Sequence, residues 1–196
     1  MSIIAGESAI VLIEFQGQWL EKGACHALIK RQLKSRGVLE NSMSLVGDAR
    51  EAGLSIVHAP LILDPRRPEG WLAHCTFGMA FTRDTWKSEI PKEFCCQSDF
   101  VVTGRYAFDA FVGSNLEQLL RENRIRNVFL CGFITDQCVA RTMKTALAKG
   151  FESFLVSDCT ATFSAHLQRR AERAFPDRVV NHEAVLRCHT AFSRAG

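Results

Sequence analysis

Apolar residues in this chain gather into short unbroken runs separated by amphipathic stretches. Ala9 to Phe15 (AIVLIEF), Leu54 to Leu61 (LSIVHAPL), Phe100 to Thr103 (FVVT), Val128 to Phe133 (VFLCGF) and Ser153 to Ser157 (SFLVS) are the clearest runs. Continuous apolar runs of this length predict strands buried on both faces, as in a parallel sheet. Arg178 to Val180 reads as a last edge strand. Between the runs the spacing turns helical. Gln16 to Leu39 reads as loop and weak helix around Leu28, Ile29 and Leu33. A clearer helix runs through Leu45, Val46 and Ala49 and stops at Gly53. Ser114-Asn-Leu-Glu117 reads as a capping box, opening a helix that turns Leu116, Leu119 and Leu120 inward. Thr135 and Asp136 supply N-cap chemistry for a helix with Val139, Met143, Ala146 and Leu147 on one face and Gly150 as its C′ stop. Leu167, Ala171, Ala174 and Phe175 mark another helix, and Glu183 to Cys188 a short closing one.

This alternation predicts a three-layer αβα domain over residues 1–196, with a mostly parallel, doubly wound sheet of five to six strands. The segment 62–98 breaks the rhythm. It holds Pro65, Pro68 and Pro91 and scatters Trp71, Phe77, Phe81 and Trp86 among glycines and charges. Its aromatics could wall a pocket, form a satellite core, or serve a subunit interface.

Composition narrows the function classes. The chain is 47% hydrophobic and 23% charged, with a formal net charge of +3. That charge is too small to point to nucleic acid, and the basic pairs Arg66–Arg67 and Arg169–Arg170 have acids nearby, as solvated faces do. No apolar run approaches the ~20 residues a membrane helix needs. The N-terminus shows no basic lead into an apolar core, so no signal peptide is expected. Eight cysteines without a small-domain framework suggest reduced thiols and a cytoplasmic protein. No metal-ligand spacing, G-x-G-x-x-G or Walker sequence is present, so neither a metal nor a cofactor is expected. His58 reads as a structural histidine within a strand.

The candidate chemistry sits at strand ends. Cys138 falls in or near the first turn of the helix after a core strand, where orphan N–H groups and the helix dipole favour a thiolate. The alternative is a buried core cysteine, the reading preferred for Cys131 inside the strand. Glu14 ends the first strand; it is either paired or used, or it lies just past the buried part beside the polar Gln16, Gly17 and Gln18. Arg105 follows the third strand. In a parallel sheet such residues converge on one edge. A thiol, a carboxylate and a cation there form a working set for covalent acyl transfer: the carboxylate moves the proton and turn N–H groups hold an oxyanion.

At these residues the chain resembles the isochorismatase-like cysteine hydrolases, the superfamily of nicotinamidases, N-carbamoyl amide hydrolases and isochorismatases. The likeness spans nearly the whole chain. AIVLIEFQ is similar to the family's first strand and its acid, VVTGRYAFDAFVGSNLEQLL to the segment bearing its lysine, GFITDQCVARTMKTAL to the signature around its cysteine, and LVSDCTAT to the next strand. The resemblance implies that Cys138 is the nucleophile. Glu14 then stands where the family usually has aspartate, and Arg105 where it usually has lysine. It implies a non-proline cis peptide at Phe133–Ile134 and an oxyanion hole formed by the Ile134 and Cys138 N–H groups. Trp19 matches the helper aromatic after the first strand, and Trp19, Phe108 and Phe133 are the expected pocket residues. The metal-binding Asp/His cluster of nicotinamidases has no counterpart.

The departures have physical weight. Glutamate reaches about 1.5 Å further than aspartate, and arginine keeps its proton, so Arg105 can act only as an electrostatic partner, with a bidentate grip on Glu14 as one arrangement. The two changes either compensate, leaving a hydrolase for another small-molecule amide or carbamoyl substrate, or leave a binding or scaffold protein. Isochorismatase-type cleavage of a vinyl ether is the third reading, and the cysteine, usually glycine in that branch, speaks for thiol chemistry. Relatives form dimers and tetramers, so a homo-oligomer without nucleic-acid or membrane partners is expected.

Overall fold

The computed structural model describes residues 4–64 and 80–193, with side chains described through residue 187. Every residue of the first strand, β1 (Ser8–Ile13), is buried, because both of its faces are covered. Its neighbours are β2 (Ser55–Ala59) on one side and β4 (Asn127–Phe133) on the other, all parallel. With β3 (Phe100–Val101), β5 (Glu152–Ala161) and β6 (Val179–Val180), they form a six-stranded parallel sheet in the order β3-β2-β1-β4-β5-β6.

The helices divide between the two faces. Ile10, Leu12, Phe129, Cys131 and Phe133 point toward α2 (Gly23–Ser35), α3 (Val38–Glu51) and α7 (His182–Ser193), where they meet Ile29, Leu33, Leu45, Val46 and Val185. The alternate residues Ala9, Val11, Ile13, Val128 and Leu130 pack on the other side against Leu116, Leu119 and Leu120 of α4 (Leu116–Glu122) and Met143 and Ala146 of α5 (Ala140–Ala148). Two short elements matter for the site: α1 (Gly17–Leu20) directly after β1, and α6 (Ala165–Arg173) after β5. The chain winds outward from β1 to β3, then returns to β4 and winds the other way. The reversal falls between β1 and β4, the kind of switch point at whose carboxyl edge open α/β sheets bind ligands.

The register there depends on Gly132. It pairs with Ile13 of β1, holds φ at 126°, and would place a Cβ 2.0 Å from the Ile13 carbonyl oxygen. Only glycine lets the strand ends approach so closely.

Several expectations are corrected. β1 ends at Ile13, so Glu14 and Phe15 lie beyond it. β5 continues to Ala161, past the expected end at Ser157; the polar run from Ser157 hides a register shift opposite Leu130 and Gly132, and Asp158 and Cys159 lie within the strand. The α2 segment is a regular 13-residue helix rather than loop and weak helix; only Ile29 and Leu33 of it are buried, which makes its periodicity faint. The closing helix runs on to Ser193. The capping box does not form. Asn115 is the N-cap, Ser114 Oγ accepts from the Leu116 N–H at 3.2 Å, and Glu117 pairs with Lys149 and Arg121 instead.

Of the 62–98 segment, residues 62–64 and 80–98 are described. Residues 80–98 fold onto the β1–α1 corner: the Gly17 N–H donates to Glu89 O at 2.9 Å and the Phe81 N–H to Gln18 Oε1 at 2.7 Å. Phe81 packs on Trp19 with ring centroids 6.0 Å apart, and Phe94 on Phe15 at 4.9 Å. Phe81 and Phe94 are therefore core, whereas Trp86 is half-buried and most of residues 80–98 are half-buried or exposed. Pro65, Pro68, Trp71, Phe77 and the Arg66–Arg67 pair lie outside the described residues.

Replacing Gly132 with alanine forces both a steric clash and a left-handed backbone on a non-glycine residue. The variant is expected to lose at least ~2 kcal/mol of stability, read as a lower midpoint in urea unfolding. An unchanged midpoint would show that β1 and β4 can part without cost.

Candidate active site

Glu14 leaves β1 at φ 58°, a left-handed conformation that non-glycine residues adopt mostly where the surroundings enforce it. The enforcing contacts are visible. Its N–H donates to Ala59 O at 3.3 Å, and the Gln16 N–H donates back to Glu14 O at 2.7 Å. Gln16 is fully buried, donating to Leu61 O at 3.0 Å and accepting from the Leu61 N–H at 2.9 Å. The polar residues after β1 are thus wrapped by the end of β2 and by the 80–98 segment rather than solvated. The reading of Glu14 as a solvated residue fails for the same reason: it is 1% exposed.

Arg105 enters from the loop after β3. Gly104, at φ 83°, brings the loop so close to Gly113 that a Cβ would sit 2.5 Å from its carbonyl oxygen. Arg105 Nη2 donates to Glu14 Oε1 at 2.7 Å. The remaining bonds of the guanidinium run to main-chain carbonyls: Nη1 to Ala59 O at 2.7 Å, Nη2 also to Phe108 O at 2.8 Å, and Nε to Ala107 O at 3.0 Å. The grip on Glu14 is through one nitrogen, not the bidentate fork. The Ala59 carbonyl receives both the Glu14 N–H and Arg105 Nη1, so the end of β2 registers acid and cation together. The second carboxylate oxygen, Oε2, accepts from Trp19 Nε1 at 2.9 Å.

Cys138 comes from the turn after β4. The Phe133–Ile134 peptide is cis. Thr135 to Val139 form one π-helical turn before α5, with the Val139 N–H reaching Ile134 O at 3.3 Å. The expected N-caps do not cap this turn: Thr135 Oγ1 donates to Gln168 Oε1 at 2.8 Å, and Asp136 Oδ1 accepts from Thr162 Oγ1. The Glu14 carboxylate, the Ile134 main chain and the charge of Arg105 all act on the sulfur of Cys138, a residue 3% exposed. The three residues expected to converge do so. Thr142, which sequence reasoning missed, links them: buried on α5, it donates to Cys138 O at 2.8 Å and accepts from the Ala110 N–H at 2.9 Å, tying the nucleophile's turn to the Arg105 loop.

The electrostatics reverse one expectation. Burial first, and then the negative charge of Glu14, push the Cys138 thiol well above its ordinary value; Arg105 and the Ile134 main chain oppose this and lose. Burial, with the Glu14 charge behind it, outweighs the helix-end effect that favours a thiolate.

The pocket residues divide. Trp19 touches the acid directly. Phe108 is half-buried, gives its carbonyl to Arg105, and lies with its ring 5.8 Å from the Arg141 guanidinium. Phe133 is corrected: its ring has no exposed surface and packs 5.0 Å from Phe15, so it belongs to the core and not to a solvent-facing wall. A cavity of about 590 Å³ opens past the ends of β2 and β3, lined by Arg105, Gly104 and Tyr106 together with Pro60, Ile62 and Arg83; Glu14, Trp19, Phe108 and Cys138 do not line it. His58 is structural, with Nε2 3.1 Å from Asp99 Oδ2, an acid also held by Arg50 at 2.6 Å. Among the described residues no group of three His, Cys, Asp or Glu side chains gathers to hold a metal ion, and no helix is long and apolar enough to cross a membrane.

A family model for the Isochorismatase domain matches residues 8–181. The chain belongs to the isochorismatase family. Within that family it is 22% identical over 173 residues to the ureidoacrylate amidohydrolase RutB of Pseudomonas syringae pv. syringae (strain B728a), covering 79% of this chain and 71% of the relative. It is 36% identical over 63 residues to the uncharacterized isochorismatase family protein YrdC of Bacillus subtilis (strain 168), covering 32% of this chain and 34% of YrdC; that match spans about a third of the relative's length. The crystal structure of a cysteine hydrolase from Pseudomonas syringae pv. phaseolicola 1448A superposes with a TM-score of 0.86 over 97% of this chain and 96% of that one, at 17% identity, a likeness of fold.

The thiols of this isochorismatase-family chain differ in a testable way. Hydrogen bonds from Ser98 lower the exposed Cys96 thiol, whereas Cys138 is raised. With iodoacetamide at pH 7, Cys96 is expected to alkylate ahead of Cys138, and the Cys138 rate to keep climbing with pH after Cys96 has levelled off. Site-by-site mass spectrometry checks this. Cys138 labelling first would mean that its charged neighbours act with the opposite balance.

Proposed function

We propose that this protein hydrolyses the C–N bond of a small amide or carbamoyl compound through a thioester on Cys138. The observation that carries the reading is the Cys138 thiol set against a buried carboxylate that Arg105 and Trp19 hold in place. RutB, by its name an amidohydrolase, supports the bond class.

Glu14 takes the Cys138 proton as the sulfur attacks the carbonyl carbon. The negative charge moves to the carbonyl oxygen, held by the Ile134 and Cys138 N–H groups. As the C–N bond breaks, Glu14 passes the proton to the departing nitrogen. Water then loses a proton to Glu14 and attacks the thioester, and that proton returns to the sulfur as the acid leaves. The raised thiol fits this sequence. Proton transfer is uphill in the free protein and becomes favourable only as charge leaves the sulfur for the oxyanion, so stabilisation is concentrated in the transition state. Arg105 and Trp19 keep the carboxylate aimed and never exchange protons with substrate.

The test is ammonia or amine release from a panel of small amides and ureido acids, with intact-mass detection of an acyl adduct. Cys138→Ala and Glu14→Gln are each expected to lower turnover by at least ~100-fold. Turnover retained by Cys138→Ala excludes the covalent route.

A further inference from the structure

The π turn that presents Cys138 is tethered from outside its own helix, and the tether ends in a group the mechanism does not use. Gln168, on α6, is fully buried in a helix whose other eight residues include four charged ones, Arg169, Arg170, Glu172 and Arg173. Its place between Leu167 and Ala171 gives no sequence sign of a role. A buried amide costs free energy unless its hydrogen-bonding capacity is used, and here it is used. Oε1 accepts from Thr135 Oγ1 at 2.8 Å, and Nε2 donates to Thr160 Oγ1 at 3.1 Å and to Glu172 Oε1 at 2.9 Å. Glu172 is held in turn by Arg36 at 3.1 Å, and Arg36 Nη2 also reaches Ser157 O at 2.8 Å.

Thr135 is the first residue of the π turn and is itself fully buried. Its neighbour Asp136 is held by Thr162, just past the end of β5. Two consecutive residues are therefore pinned to β5 and α6, three and two positions before Cys138. A π turn carries one residue more than an α turn, so its shape needs outside support. From its own side the turn is held by main-chain bonds to Ile134 O, by the Ala140 N–H donating to Gln137 O and Thr135 O, and by Thr142 Oγ1 donating to Cys138 O; none of these holds the Thr135 or Asp136 side chain.

We propose that Gln168 is a positioning residue for the nucleophile: through Thr135 it fixes the turn so that the Cys138 sulfur stays against Glu14. This rests on the proposed hydrolase reading for its effect on turnover, but not for its effect on the thiol. Freed from the tether, the sulfur drifts from the Glu14 charge. It then ionises more readily while being worse placed to hand its proton over. A purely structural contact would lower stability without that pairing of effects.

The experiment compares Thr135→Val, Gln168→Leu and Thr135→Ser with the parent protein. The readouts are the pH profile of Cys138 alkylation by iodoacetamide, read on the Cys138 peptide by mass spectrometry, and kcat and KM on any amide the parent turns over. Thr135→Val and Gln168→Leu are expected to move the alkylation profile to lower pH and to cut kcat by ~10- to 100-fold, with KM within about 2-fold. Thr135→Ser, which keeps the hydroxyl, is expected to restore both. An alkylation profile in Thr135→Val that matches the parent overturns the proposal, whatever its melting temperature. So does a Thr135→Ser protein that behaves like Thr135→Val, since the methyl group would then be what matters. If the parent hydrolyses no amide, the alkylation profiles alone decide, and the hydrolase reading can fail while the tether stands.

Discussion

A carboxylate with 1% of its surface exposed persists as an anion only if its charge is answered at close range. Glu14 is answered by Arg105 at 2.7 Å and by Trp19 Nε1 at 2.9 Å. The rest of the site is arranged around meeting that demand. The end of β2 supplies the Ala59 carbonyl that holds both acid and cation, the β3 loop turns at Gly104 to deliver the guanidinium, and α1 begins early enough to place the indole. Removing one partner of such a pair typically costs about 3–5 kcal/mol, because the other charge is left buried and alone. The arrangement is therefore not an inexpensive way to stabilise a fold. The group kept at that cost stands beside the buried Cys138 thiol, at the point where the strand order reverses.

The pairing of glutamate with arginine has an internal logic. A longer acid needs a partner that stays charged and can be anchored along its own length. Arg105 spends its N–H groups on three carbonyls and one carboxylate oxygen, so it arrives already oriented. A lysine ammonium offers three donors on a flexible stem and would leave some of those carbonyls unmet. Glu14 and Arg105 thus fit each other in length and in hydrogen-bonding capacity.

Much of the fold was legible because parallel strands buried on both faces read as continuous apolar runs. AIVLIEF, VFLCGF and SFLVS could be placed with no further information, and the topology followed from their alternation with helices. The convergence of Glu14, Arg105 and Cys138 was legible for the same reason, since strand order decides which ends meet. What stayed hidden was polar and buried. Gln16, Gln18, Thr135 and Gln168 look like surface residues until their partners from distant segments are known. The run ending at Ser157 belongs to a strand that in fact continues to Ala161 through a register shift. The thiol's state was misread because a helix end favours a thiolate by a modest, general effect, whereas the burial of the sulfur and the Glu14 charge beside it arise only in the folded chain.

The proposed chemistry turns on the protonation of one sulfur. Its most direct test is ultraviolet absorbance near 240 nm, where thiolates absorb, titrated from neutral to alkaline pH as the difference between the parent protein and Cys138→Ala. That chemistry predicts no Cys138 thiolate signal at neutral pH in the parent, and its appearance at lower pH in Glu14→Gln, where Arg105 is unopposed. A thiolate already present at neutral pH in the parent, or one that Glu14→Gln moves to higher pH, would contradict it.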